Sequence, residues 1–186
     1  MKLKKLILIG ASTGGPGQIQ KIIKTLKKRG DTAFIIIQHM QKDYLLSFAS
    51  QLNKNSILEV TTSKDNMEIV ADMVYVLDKN YEIKERNYSL FFSEYHDKLS
   101  YSPNINLLFN SIANLKNSPK VLSVVLTGIG DDGAAGSLNL AKKGSTCISE
   151  NEESSIVYGM PKATSELNPS AKRLGIDEIC QEIGRF

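Results

Sequence analysis

Cysteine is scarce. The chain has two, Cys147 and Cys180, far apart and without CxxC spacing, so neither a disulfide framework nor a zinc-ligand pattern has support. Reduced, buried thiols in a cytoplasmic protein are the expectation. Long apolar runs are also missing, and none approaches the ~20 residues that a membrane-spanning helix needs. Leu6-Ile7-Leu8-Ile9 leads into a glycine turn and not a small-residue cleavage site, which marks a buried strand and not a signal peptide. Excess charge is slight: the net is +3, the lysines are scattered, and Met1-Lys2-Leu3-Lys4-Lys5 is too short for a basic arm. No nucleic-acid partner is expected. No metal or cofactor is expected either. Repeats, low-complexity tracts and linkers are absent, so the 186 residues read as one domain. A chain of this size buries roughly 70% of its unfolded surface without covalent staples.

What is present is an alternation of apolar strands and amphipathic helices. Leu6 to Ile9 and Phe34 to Ile37 are continuous apolar runs. After each comes a helix, the first from Pro16 to Leu26 with Ile19, Ile22, Ile23 and Leu26 on one face, the second carrying Leu45, Phe48, Ala49 and Leu52. Continuous apolar strands alternating with helices predict an α/β fold: a doubly wound, mainly parallel sheet with helices on both faces. Strand-like segments at 57–61, 74–77, 81–85 and 89–92 follow, broken by polar turns, and at least one antiparallel hairpin is expected there. Ile105, Leu108, Phe109 and Ile112 mark another helix. A third long strand, Val121 to Leu126, precedes a helix at 134–142 and a strand at 146–148. Short helices after Pro161 and from Asp177 to Ile183 close the chain.

Three strand ends carry chemistry. Gly10-Ala11-Ser12-Thr13-Gly14 matches G-x-S-x-G between a strand and a helix, a turn that lifts a serine hydroxyl above the sheet. The N–H of Thr13 can then face a developing oxyanion. A phosphate loop competes with this reading, as does a merely structural turn, but there is no Gly-Lys-Ser/Thr ending and no G-x-G-x-x-G register. His39 lies just past the second strand, at the same end of the sheet, where it can serve Ser12 as general base or simply terminate the strand. His96, in the polar stretch 94–98, is expected at the surface. The third strand ends in Thr127-Gly128-Ile129-Gly130-Asp131-Asp132-Gly133, where a carboxylate can orient His39 or cap the next helix. Spacing does not choose between Asp131 and Asp132. The order Ser…His…Asp differs from that of the α/β-hydrolase superfamily.

Four segments taken together resemble one family. Residues 10–15, Gln38-His39-Met40, Leu126 through Gly136, and Asn151-Glu152 through Tyr158-Gly159-Met160-Pro161 are similar, in order and over nearly the whole chain, to the catalytic domain of the chemotaxis protein-glutamate methylesterases of the CheB type. The resemblance implies hydrolysis of glutamate γ-methyl esters on the cytoplasmic helices of methylated chemoreceptors, with release of methanol and, in some members, deamidation of receptor glutamines. It implies a single methylesterase catalytic domain over 1–186, with Ser12 as nucleophile, His39 as base, Asp132 as triad acid, and the N–H groups of Thr13 and Ile129 as oxyanion donors.

Three departures from the family pattern stand out. The family's receiver domain has no counterpart ahead of Leu6, so phosphorylation control within this chain is not expected. A proline-glycine-aspartate turn is replaced by Leu77-Asp78-Lys79-Asn80. An arginine-proline-serine-valine-aspartate stretch reads Ser102-Pro103-Asn104-Ile105-Asn106, without the arginine and the aspartate. That loss motivates an alternative of another class, a receptor-binding module with little or no catalysis. A nucleotide-binding protein is the third reading, for which titration with dinucleotides or nucleoside triphosphates is expected to show no binding.

Overall fold

A computed structural model describes residues 3–186. The first half runs β1 (Lys5–Ala11), α1 (Gly15–Ile23), β2 (Thr32–Gln38), α2 (Lys42–Lys54), β3 (Glu59–Thr62) and β4 (Met73–Val76). A hairpin of β5 (Tyr81–Arg86) and β6 (Ser89–Glu94) follows. The second half runs α3 (Ile105–Ala113), β7 (Lys120–Val125), α4 (Ala134–Lys142), β8 (Thr146–Glu150), α5 (Met160–Leu167), β9 (Lys172–Leu174) and α6 (Ile176–Arg185).

Seven strands form one sheet in the order β3-β4-β2-β1-β7-β8-β9, and every pairing in it is parallel. The antiparallel pair β5–β6 stands apart as a second sheet. The segment at 74–77 belongs to the main sheet because Val74, Tyr75 and Val76 are all buried, as a strand covered on both faces must be. Along β1, Ile7 and Ile9 face a core built with α1, α2 and α6, while Leu6 and Leu8 face a second core built with α3, the hairpin and Leu140 of α4. This is the period-two alternation of a strand sandwiched between two helix layers.

Strand order reverses at β1. The chain leaves β1 toward β2 on one side and returns to β7 on the other. In open α/β sheets, the crevice beyond the carboxyl ends of strands at such a point is where ligands bind. Cys147 is buried, its Sγ lying 3.4 Å from the Ser137 carbonyl, and Cys180 is half-buried with its thiol pushed up by burial; neither is disulfide-bonded. Among the described residues, no helix is long and apolar enough to cross a membrane.

Candidate active site

The turn after β1 is held at both ends. Ser12 N–H donates to the Thr127 carbonyl at 3.0 Å, and the Ser12 carbonyl accepts from Gly15 N–H at 2.9 Å. The Gln38 side chain, buried at the end of β2, donates its amide to the Ser12 carbonyl at 2.9 Å and to the His39 carbonyl at 3.1 Å. Gly14 sits at φ +84°, and a Cβ there would come within 2.6 Å of Ile156. The turn therefore needs glycine for its backbone and for its packing. Among the described residues, the Ser12 hydroxyl makes no hydrogen bond, so nothing pins its rotamer.

β1 and β2 pair in parallel with Ala11 opposite Gln38, which sets Ser12 beside His39 on neighbouring strand ends. His39 N–H donates to the Ala11 carbonyl at 2.9 Å. Its side chain is 11% exposed, and its Nε2 lies 2.8 Å from Oδ2 of Asp132, whose side chain is 1% exposed. A carboxylate only accepts, so Nε2 carries a proton, and in the neutral ring the lone pair lies on Nδ1.

Asp132 is fixed by more than His39. Ile105 N–H donates to its Oδ2 at 2.8 Å and Asn106 N–H to its Oδ1 at 2.9 Å. These are the first two residues of α3, so the carboxylate also lies in the positive field of that helix N-terminus. Asn104 caps the same helix, accepting from Leu107 N–H at 2.7 Å, and the Asn106 side chain accepts from Gly136 N–H at 2.7 Å in α4. The segment 102–106, in which the sequence departs from the family pattern, thus holds the carboxylate and ties α3 to α4. Asp131, by contrast, is exposed. Of the two aspartates, Asp132 is the one that is buried and meets the His39 ring.

The N–H groups of Thr13 and Ile129 donate no hydrogen bond within the described residues, and both residues are exposed beside the turn. His96 is 81% exposed and pairs loosely with Glu94 at 3.9 Å, as a surface histidine does.

Two features went unread in the sequence. Thr127 is a hub. Its hydroxyl donates to the Thr13 carbonyl at 2.9 Å and accepts from Val157 N–H at 2.8 Å, while its N–H donates to Oε2 of Glu150 at 2.8 Å. Glu150 is 0% exposed, and its Oε1 accepts from the Gln18 amide at 2.6 Å and the Ser154 hydroxyl at 2.8 Å. The second feature is Tyr101, whose ring stacks on that of His39 with centroids 4.6 Å apart and planes 6° from parallel. A carboxylate closing the apolar strand β8 was the available signal for Glu150. Tyr101 lies next to the altered 102–106 segment, but no spacing links it to His39.

A wholly parallel sheet with a serine, a histidine and a buried carboxylate gathered at its switch point places the chain among the doubly wound α/β proteins. It belongs to the CheB methylesterase family, whose profile matches residues 7–183. It is 33% identical over 183 residues to a protein-glutamate methylesterase/protein-glutamine glutaminase of Saccharophagus degradans, covering 97% of this chain and 50% of that protein. A Bacillus subtilis protein of the same name is 36% identical over 165 residues, covering 86% of this chain and 46% of its own length. The crystal structure of the Thermotoga maritima CheB methylesterase catalytic domain superposes with a TM-score of 0.90 at 30% identity, covering 98% of each chain. The chain thus spans about half the length of the curated relatives it matches and nearly all of that solved catalytic domain.

Proposed function

We propose that this chain is a serine hydrolase that removes methyl groups from glutamate γ-methyl esters on the cytoplasmic helices of bacterial chemoreceptors, with deamidation of receptor glutamines as a second activity. The observation that carries the reading is the 2.8 Å pair between buried Asp132 and His39 on the strand adjoining Ser12. Membership of the CheB methylesterase family supports the ester as substrate.

Ser12 Oγ attacks the ester carbonyl and passes its proton to His39. Because Nε2 is committed to Asp132, Nδ1 receives it. Asp132 keeps the ring in that tautomer and stabilises the imidazolium. The oxyanion is met by the N–H groups of Thr13 and Ile129, which have no partner within the described chain. His39 then protonates the departing methanol, and water attacking the acyl-serine regenerates Ser12 and leaves the glutamate. The unpinned Ser12 hydroxyl fits this scheme, since nucleophile–base hydrogen bonds often tighten only when substrate is bound.

The test is release of volatile methanol from receptor carrying radiolabelled methyl esters. Release by the wild type is expected, with loss in Ser12→Ala and His39→Ala. The double substitution should be hardly worse than either single one, because these groups act as a unit. No release from well-folded wild type, with receptor binding intact, would overturn the hydrolase in favour of a binding module.

A further inference from the structure

Tyr101 has no role in the scheme above, yet it touches the centre of it. The residue lies between β6 and α3, immediately before the Ser102-Pro103-Asn104 approach to the helix that clamps Asp132. Its ring covers one face of the His39 imidazole at a centroid separation of 4.6 Å, almost parallel. Its hydroxyl reaches over the loop that carries Ile129: a Cβ built on Gly130 would come within 2.7 Å of it. Gly130 sits at φ +94° and presents no side chain, which leaves room for the phenol. The ring therefore spans from the imidazole to the loop that offers the second oxyanion donor.

Among the described residues, the His39 ring makes one hydrogen bond. Asp132 holds its Nε2 edge, and among the described residues Asp132 is the one charged group within ion-pair reach of the ring. A single hydrogen bond along that edge does not by itself prevent the imidazole from tilting about the Nε2–Oδ2 line, which would swing Nδ1 away from Ser12. A flat aromatic surface against the ring face blocks that motion. We propose that Tyr101 is a positioning residue that fixes the plane of His39 so that Nδ1 stays directed at the Ser12 hydroxyl. This rests on the hydrolase reading for the roles of Ser12 and His39, but not on the identity of the ester. The aromatic face does the positioning, so phenylalanine should replace tyrosine, and an aliphatic side chain of similar bulk should not.

The experiment compares wild type, Tyr101→Phe and Tyr101→Leu without receptor. The first readout is NMR of the two histidine rings, with exposed His96 as internal reference. Stacking shifts the His39 ring protons upfield by ring current. That shift should persist in Tyr101→Phe and vanish in Tyr101→Leu. The second readout is the rate at which an alkyl fluorophosphonate labels Ser12. There Ser12 Oγ bonds to phosphorus, fluoride leaves and His39 takes the proton, with Ser12→Ala as blank. Labelling should slow about 2- to 10-fold in Tyr101→Leu, the range expected for one aromatic stack, and stay within about 2-fold of wild type in Tyr101→Phe. Unchanged melting temperatures separate positioning from unfolding.

Wild-type labelling speed in Tyr101→Leu would overturn the proposal. So would equal slowing in both variants, which would assign the effect to the hydroxyl. A wild type that does not label at all would remove the proposal together with the role of His39 as base. Labelling with the predicted pattern but no methanol from methylated receptor would leave the proposal standing and strike only the substrate.

Discussion

Glu150 is a fully buried carboxylate with no cation in ion-pair reach among the described residues; three hydrogen-bond donors stabilise it instead. Glu150→Ala would strip the acceptor from all three. Gln18 would keep its second bond, 2.8 Å to the Ser154 carbonyl, but the Thr127 N–H and the Ser154 hydroxyl would be orphaned. Each buried unsatisfied group costs about 1–3 kcal/mol. Removing a buried charge gives some of that back, so a net destabilisation of about 2–4 kcal/mol is expected. For a chain of this size that corresponds to a melting temperature lower by roughly 5–15 °C. Glu150→Gln keeps the shape but turns one acceptor into a donor facing another donor, and should cost about half as much. Urea unfolding followed by circular dichroism measures both, as a shift in midpoint at constant slope. Because Thr127 also receives Ser12 N–H and binds the Thr13 carbonyl, labelling of Ser12 should slow in both variants under conditions where they remain folded. An alanine variant within about 0.5 kcal/mol of wild type, or a glutamine variant less stable than the alanine one, would refute the reasoning.

Two further outcomes are expected. At Gly128 an added Cβ would collide with Met160 and come within 2.7 Å of Ser12 Cβ, so Gly128→Ala should displace Ser12. Methanol release should fall by about 100-fold, while urea stability drops only about 1–3 kcal/mol. Burial and then the nearby Asp78 carboxylate push the Tyr81 hydroxyl up to about 12, above its ordinary value in an unfolded chain. The neutral phenol is thus favoured by folding. Its contribution is complete below pH ~10 and is lost as pH rises through about 12. Tyr81→Phe should make the alkaline fall in stability shallower between those limits, as read by urea midpoints measured at successive pH values.

Elements with strong apolar signals are legible in the amino-acid sequence. β1, β2 and β7 are buried on both faces, so each is a mostly apolar run, interrupted in β7 by buried Ser123, and α1 to α3 show their buried stripes at helical spacing. β9 is not legible. Lys172-Arg173-Leu174 is polar and three residues long, an edge strand defined only by its pairing with β8. Ser12 and His39 can be located because strand ends are local features. Which of Asp131 and Asp132 meets His39 depends on which carboxylate the N-terminus of α3 reaches, through contacts 26 and 27 residues apart that spacing does not encode. Tyr101 against His39 and Gln18 against Glu150 are likewise meetings between elements, which neither propensity nor periodicity encodes.

β1 is the seam of the molecule. It pairs along its length with β2 on one side and with β7, from Lys5–Lys120 to Gly10–Val125, on the other. Ser12 and His39 come from the side built first in chain order, and Asp132 from the side built last. A growing chain can set the serine beside the imidazole early, but the carboxylate arrives only when β7 zips onto β1 and α3 settles over the sheet. The meeting of Ser12, His39 and Asp132 is therefore a property of the finished sheet, which no half of the chain can assemble alone.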